Sequence, residues 1–181
     1  MSYEMRRKDR EVTSPDLLWK IVNQGLVTHL ALHDAEGNLY ATCMHYGVDR
    51  ENNRLYFHGA MKGRKAEALA LEPEVAFQIV GRTEMAPNPR PERVGYHLGI
   101  YASVMGEGKI RVVTDLAEKR KAIDLMHERY DDAAQDYAIK DETLEKVVNV
   151  HALEISALTG KIKGYYNPDK PNAKMVVVRD W

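Results

Sequence analysis

Apolar residues near the start of the chain recur at helical spacing. The pattern covers residues 17–22 and follows Ser14 and Pro15, which are typical of an N-cap and a first helical position. Gly25 comes directly after the pattern and is typical of a helix end. The spacing therefore predicts a short helix between Ser14 and Gly25.

Three segments with the period of a β-strand come next, at residues 25–33, 39–48 and 54–58. The connections between them are short and rich in Asp, Glu, Gly and Asn, which favour tight turns. His58 closes the third segment. These three strands are expected to form an antiparallel meander.

The helical period returns at residues 62–71 and gives way to a strand at residues 74–80. Residues 83–93 contain three prolines, at 87, 89 and 91. Because proline lacks an N–H donor and has a fixed φ, this stretch is predicted to be a loop.

Residues 98–113 form another β segment, in which Gly106 and Gly108 predict a bulge or a sharp bend. Asp115 then begins a helix, and Glu118 is spaced to complete a capping box. Residues 150–158 are the sixth strand. The connections are mostly too short for crossover helices, so an antiparallel barrel with helices packed outside is predicted rather than a doubly wound parallel sheet.

Composition supports one globular domain over residues 1–181, with an N-terminal arm at 1–13 and a C-terminal tail at 166–181. Hydrophobic residues make up 44% and charged residues 29% of the chain, and the net charge is −1. Interleaved charges leave no concentrated basic face for duplex nucleic acid. We expect no membrane span and no secretory signal. The single Cys43 excludes an intrachain disulfide and favours a cytoplasmic protein.

The segment from His58 to Ala66 carries the most informative chemistry. Glycines relax the backbone, and Arg64 and Lys65 stand at the start of a predicted helix. Cations are unfavourable at that end of the helix dipole, so a bound anion would explain them, and the pattern indicates a phosphate site. A glycine-rich connection with solvated charges is the alternative. The spacing does not match a Walker loop.

Other candidate residues give weaker signals. The seven histidines show no metal-binding spacing, so no metal is expected, and His58 is singled out because it adjoins the phosphate segment. Tyr101 and Ser103 share one face of a strand, where they could contact a ligand or belong to a solvent-facing or interface stripe. Nothing in the sequence has the local signature of a serine hydrolase.

Several motifs, in this order, resemble the nitroimidazole-resistance group of the pyridoxamine 5′-phosphate oxidase-like FMN-binding split barrels. They are MRRKDREV at residues 5–12, YG at 46–47, LYFHGA at 55–60 with GRK at 63–65, and YASVMGEG at 101–108. The resemblance implies a six-stranded antiparallel split β-barrel with flanking helices. It also implies a homodimer with two flavin mononucleotide (FMN) sites at the interface, each lined by both chains.

The same resemblance implies the site residues. Arg64 and Lys65 would hold the FMN phosphate beside His58, and the strand through Thr42 would offer backbone hydrogen bonds to the flavin ring. His58 would lie near flavin and substrate, as the candidate catalytic residue. The implied cofactor-binding residues are Thr42, Cys43, Met44, His45, Tyr46, His58, Gly59, Ala60, Gly63, Arg64, Lys65, Tyr101 and Ser103.

The implied chemistry is reduction of a small aromatic or nitro-type substrate stacked on the flavin, with NAD(P)H as a candidate electron source. A non-catalytic flavin or haem carrier is a second hypothesis, in which His58 or His45 would ligate iron. A third is a sensor that binds another phosphate or a deazaflavin. His45 departs from the small polar residue that the family has at this position. The resemblance therefore does not define the substrate pocket.

Overall fold

The structure is a computed structural model that describes residues 4–88, 90–130 and 139–172. The helical elements are a 3-10 turn, Lys8–Arg10, and five α-helices: α1 Pro15–Gln24, α2 Arg64–Ala70, α3 Pro91–Val94, α4 Leu116–Tyr130 and α5 Asp141–Val147. The strands are β1 Glu11–Val12, β2 Thr28–His33, β3 Leu39–Met44, β4 Gly47–Asp49, β5 Arg54–Gly59, β6 Glu74–Pro87, β7 His97–Val112 and β8 Asn149–Lys163.

Within these described ranges the strands form one eight-stranded sheet in the order β3-β2-β6-β7-β8-β5-β4, with β1 paired to β8. The pairs β1–β8, β2–β3, β4–β5 and β5–β8 are antiparallel. The order has two ends, so the sheet is not closed, and the predicted split barrel is confirmed. The predicted strand number of six was too low: the segment 39–48 is two strands separated at His45 and Tyr46, and β1 is additional.

The chain divides into two compact units. The first comprises Met1–Leu26, Gln78–Met105 and Leu158–Trp181, and the second comprises Val27–Phe77 and Gly106–Ala157. The boundaries fall inside the long strands β6, β7 and β8. The expectation of a single domain stays a prediction.

In the first unit, helix α1 begins as predicted, because the Ser14 side chain accepts a hydrogen bond from the Leu17 amide at 3.2 Å. The Asp169 carboxylate adds to this start by accepting from the Thr13 and Ser14 amides, at 2.7 and 2.8 Å. Part of the tail, up to residue 172, is thus tied to the N-terminal arm. The rest of the tail lies outside the described residues.

The predicted loop over residues 83–93 was wrong in two places. Strand β6 continues to Pro87, and Pro91 begins α3. A proline is tolerated at a strand end and in the first turn of a helix, where its missing N–H leaves no bond unmade. Asn88 fixes the connection by donating from Nδ2 to the carbonyls of Gly95 and Arg90, at 2.6 and 3.0 Å. Pro89 lies outside the described residues.

Strand β7 runs through Gly106 and Gly108 without interruption, and the bulge or sharp bend expected there stays a prediction. A Cβ at Gly106 would clash with the Phe77 ring, and one at Gly108 would clash with the backbone of Glu154. These glycines allow neighbouring groups to approach closely, and no bend is needed.

In the second unit, α4 and α5 pack on one face of β5 and β8. Their shared core contains Tyr56, Val113, Ala122, Ile123, Met126, Leu144, Val150 and Ala152. Asp115 caps α4 as predicted, since its Oδ1 accepts from the Glu118 amide at 2.8 Å. The Glu118 carboxylate does not complete a capping box; it accepts from Arg111 and from the Tyr56 hydroxyl.

Candidate anion and cofactor site

Strand β5 ends in His58 and Gly59, and its pairing with β8 determines what surrounds them. Phe57 pairs with His151, and Gly59 pairs with Asn149. Because side chains alternate along a strand and paired residues share a face, Phe57, Gly59 and His151 lie on one face and His58 lies on the other.

Lys65 lies beside Gly59. Its Cε is 3.8 Å from the point that a Cβ on Gly59 would occupy, and its side chain is half-buried. Among the described residues, its ammonium group has no hydrogen-bond or ion-pair partner. Its charge lowers the pKa of both His58 and His151. Lys65 is thus an uncompensated cation next to two imidazoles.

His151 is buried on the same face as Gly59. Its exposed fraction is 1%, and neither ring nitrogen has a hydrogen-bond partner. Burial, with a smaller contribution from the Lys65 charge, lowers the pKa of His151 to about 4. The imidazole is therefore neutral near pH 7.

His58 is exposed at the end of β5. Its pKa is lowered, first because nearby protein atoms displace water from the ring and then because His127, His45 and Lys65 add positive charge nearby. His127 belongs to the last turn of α4, and His45 follows β3. One ammonium group and three imidazoles thus lie near this end of β5.

Arg64 has different neighbours from Lys65. Its Nε and Nη2 lie 3.0 and 2.8 Å from Oδ2 of the buried Asp34, and its guanidinium lies 4.4 Å from the centre of the Tyr40 ring. Asp34 also accepts from the Glu36 and Asn38 amides, and these bonds lower its pKa together with Arg64. The two cations predicted to act together thus differ, since only Arg64 has a carboxylate partner.

A cavity of about 310 Å³ lies next to this ion pair, lined by Asp34, Ala35, Glu36, Asn38, Arg64 and Glu67. Its three carboxylates outnumber the one guanidinium, so its lining does not favour an anion. The helix that carries Arg64 and Lys65 has seven residues and begins after Gly63, whose φ is +103°. That positive φ explains glycine at this position. Ala60 is exposed.

The predicted ring-binding segment runs along β3 into the connection to β4. Thr42 is half-buried, Cys43 and His45 are exposed, and Met44 and Tyr46 are buried. Strand β3 stands at one end of the strand order, with β2 as its neighbour. In an edge strand, every other residue directs its N–H and C=O away from the neighbouring strand, so part of this backbone is available to a ligand.

The Tyr46 backbone is not available in this way. Its amide donates to the Tyr130 hydroxyl at 3.0 Å, and that hydroxyl lies 3.2 Å from the Tyr46 carbonyl. Arg129 donates to the Tyr46 hydroxyl at 3.0 Å, and the His45 ring meets Tyr130 edge to face at 4.9 Å. Residues from α4 therefore hold the connection that the sequence predicted to contact the flavin.

Tyr101 and Ser103 belong to β7 in the first unit, where Ser103 is buried and Tyr101 is half-buried. The residues brought together around Lys65 all belong to the second unit. Sequence reasoning missed His151, Asp34 and Tyr40. The sequence did carry a signal for His151, which is the polar residue in an apolar run from Val150 to Leu153.

Two further findings concern the described ranges. No group of three or more His, Cys, Asp or Glu side chains is arranged to hold a metal ion. Of the helices in those ranges, none is both long enough and apolar enough to cross a bilayer.

Solved structures share this fold. A candidate 5-nitroimidazole antibiotic resistance protein from Bacteroides thetaiotaomicron has 23% identity and a TM-score of 0.69, over 84% of this chain and 86% of that one. The flavocytochrome Anf3 from Azotobacter vinelandii has 16% identity and a TM-score of 0.72, over 89% and 72%. An FAD and haem binding protein from Mycobacterium smegmatis has 19% identity and a TM-score of 0.70, over 84% and 73%.

A family model identifies the family to which the chain belongs. No curated protein matches it. A family model, described as pyridoxamine 5′-phosphate oxidase, matches residues 14–162, which is well over half of the chain. The resemblance to this superfamily seen in the motifs is confirmed, and the chain belongs to the pyridoxamine 5′-phosphate oxidase family.

Proposed function

We propose that the chain binds FMN with its phosphate on Lys65 and reduces a small aromatic or nitro-type substrate at the flavin. The observation that carries this proposal is the uncompensated ammonium group of Lys65 beside His58 and His151. Since no carboxylate of the described ranges pairs with it, this positive charge is stabilised best by an anion from outside the chain.

The residues present fit a flavin that ends in a phosphate. The terminal phosphate of FMN carries close to two negative charges, and a compact group of cations and N–H donors suits it. Gly59 leaves room for close approach because it has no side chain. The names of the solved relatives point to the same ligand class, since Anf3 is a flavocytochrome and the Mycobacterium smegmatis protein binds FAD and haem.

Each part of the second unit would have its own task. FMN, when bound, supplies the hydride and electron chemistry. Lys65 neutralises the phosphate, and the outward backbone groups of β3 near Thr42 orient the ring. His58 is neutral at pH 7 because its pKa is lowered, so its imidazole can donate and accept hydrogen bonds beside the substrate. NAD(P)H is the proposed electron donor.

We propose that the protein is a homodimer with two FMN sites at the interface, each lined by both chains. Large apolar side chains that are exposed in both units support a covered surface: Leu26, Leu39, Met61, Leu71, Met85, Tyr96, Met105 and Tyr166. Analytical ultracentrifugation is expected to give twice the chain mass of 20.6 kDa. A monomer at micromolar concentration would contradict this part of the proposal.

The decisive experiment compares flavin binding by the wild type and a Lys65→Ala variant. The wild type is expected to be yellow as isolated, or to bind added FMN and quench its fluorescence. Lys65→Ala should weaken FMN binding about 30-fold, or about 2 kcal/mol, because a charge-assisted contact is lost. Lys62→Ala removes an exposed lysine from the same connection and is the matched control.

Riboflavin, which lacks the phosphate, should bind wild type and Lys65→Ala equally. If the wild type binds no flavin, the proposed function is wrong. If Lys65→Ala binds FMN as tightly as the wild type does, the phosphate lies elsewhere.

Haem binding is the second candidate, because His45 and His58 expose imidazoles that could ligate iron and two solved relatives are named for haem or cytochrome. Haem titration distinguishes the two ligands. A Soret band that is lost in His58→Ala or His45→Ala, without flavin binding by the wild type, would favour this function.

A further inference from the structure

The imidazole of His151 has an unusual environment for a buried polar side chain. It stands in an apolar stretch of β8, is 1% exposed and has no hydrogen-bond partner on either ring nitrogen. A buried polar group without a partner destabilises the folded chain, and such groups are rare in folded proteins. An apolar residue at this position would pack without that cost, so the imidazole needs an explanation.

The sheet places His151 beside Lys65. His151 pairs with Phe57, two residues before Gly59, so His151 and Gly59 are diagonal neighbours on one face of the β5–β8 pair. Diagonal neighbours in an antiparallel pair are typically about 7 to 8 Å apart. The Lys65 side chain passes over Gly59 on this face. An unpaired N–H donor and an uncompensated cation are therefore adjacent.

The charges around His151 favour one class of ligand. Lys65 is the charged group within the described part of the chain that shifts the pKa of His151, and Asn149 on the same face is uncharged. His58, on the opposite face, is also influenced by Lys65 and by two further imidazoles. An oxyanion would give both Lys65 and His151 the acceptor that each lacks.

We propose that His151 is a phosphate ligand, donating one ring N–H to an oxygen of the phosphate that Lys65 neutralises. This inference rests on the proposed function and adds a residue to its binding site. A neutral imidazole has one N–H, so no change of charge is needed. The nitrogen atoms of His151 are closed to solvent, so this contact requires local movement of the side chains that cover them. The stability lost to the unpaired imidazole is regained when phosphate binds.

The test compares FMN with riboflavin in the wild type and in His151→Leu and His151→Gln. In His151→Leu, FMN affinity is expected to fall about tenfold while riboflavin affinity changes less than twofold. His151→Gln keeps an N–H donor and should restore part of the FMN affinity. His29→Leu removes an exposed imidazole from β2 and is the control. Equal FMN and riboflavin effects in His151→Leu, or none, would overturn the inference.

A second measurement makes the inference independent of the flavin. Inorganic phosphate is titrated into the ¹⁵N-labelled wild type, and the His151 ring signals are identified by their absence in His151→Gln. A saturable shift of these signals supports the phosphate contact even if the wild type binds no flavin or His151→Leu does not fold. Ring signals that do not move, as expected if a buried water satisfies the imidazole, would overturn it.

Discussion

Two charged clusters in the second unit differ in how their charges are balanced. In the first, here called the paired network, Glu118 accepts from both Nη atoms of Arg111 at 2.7 and 3.1 Å and from the Tyr56 hydroxyl at 2.8 Å. Glu154 contacts Arg111 and Arg54, each at 3.3 Å. Two carboxylates thus balance two guanidinium groups at the start of α4.

The second, here called the positive cluster, consists of Lys65, His45, His58, His127 and His151. The pKa values of His58 and His151 are both below the ordinary value, first because of burial and then because of positive charge nearby. No carboxylate of the described residues pairs with Lys65.

From this difference we infer that the paired network stabilises the fold and that the positive cluster is arranged for a ligand. A network whose carboxylates already pair with its guanidinium groups gains little from an external ion, although Nε of Arg54 is buried without a hydrogen-bond partner. A cluster that leaves a cation and a buried imidazole unsatisfied is less stable alone and gains from an anion. The positive cluster is therefore the part of the unit in which binding is expected.

Lowering the pH is expected to have the largest effect on stability, and it distinguishes the two clusters. An unfolded histidine takes up its proton near pH 6.5, but folded His151 does so only near pH 4, so between these values the unfolded chain binds more protons and stability falls as the pH falls. The loss is on the order of 3 kcal/mol. The contribution of Glu118 to stability is lost at lower pH. Because the pKa of Glu118 is lowered in the folded chain, this loss begins only when the pH falls below the ordinary value of 4.5.

Urea unfolding at pH 7, 5.5 and 4.5 measures this effect. The free energy of unfolding should fall more steeply for the wild type than for His151→Leu over this range. Parallel curves for the two proteins would show that His151 is protonated equally in the folded and unfolded chains.

Removing Glu118 should affect stability and leave the ligand site intact. Glu118→Ala leaves Arg111 and the Tyr56 hydroxyl without their acceptor, and we expect a loss of about 2 kcal/mol at pH 7, measured by urea unfolding. Glu118→Gln retains an oxygen for Tyr56 and should lose less. FMN affinity is expected to stay within twofold in both variants. A large loss of affinity at wild-type stability would mean that the paired network also serves the ligand.

Replacing Arg64 should have the smallest effect on binding. Because its guanidinium is already held by Asp34 and Tyr40, Arg64→Gln is expected to keep FMN affinity within about fivefold of the wild type, the range of an exposed ion pair. Fluorescence titration in parallel with Lys65→Ala gives the comparison. A loss as large as that of Lys65→Ala would show that Arg64 leaves Asp34 for the phosphate, as the sequence predicted.

Local signals in the sequence predicted local structure well. Ser14 and Asp115 cap their helices as expected, because a cap depends on residues within one turn. The prolines of residues 83–93 misled the prediction, since only the surrounding strand and helix decide whether a proline lies at a tolerated position. For the glycines of β7, only the tertiary structure shows the close approach by Phe77 and Glu154 that explains them.

The candidate site was predicted only in part. The motif around residues 55–65 predicted a phosphate site, which stays a prediction, and it gave Arg64 and Lys65 one task because both stand at the start of the predicted helix. Consecutive helical residues point about 100° apart, so they meet different partners. Asp34, thirty positions earlier, reaches one of them, and Gly59 and His151 lie near the other.

The sequence alone determined the helix caps, the antiparallel strands, the family and the position of a cationic segment after the third predicted strand, because these depend on residue types and short spacings. Only the tertiary structure decided which cation is left without a counter-charge and which buried imidazole accompanies it. Those properties depend on the pairing of β5 with β8, which brings together residues about ninety positions apart that no local pattern connects.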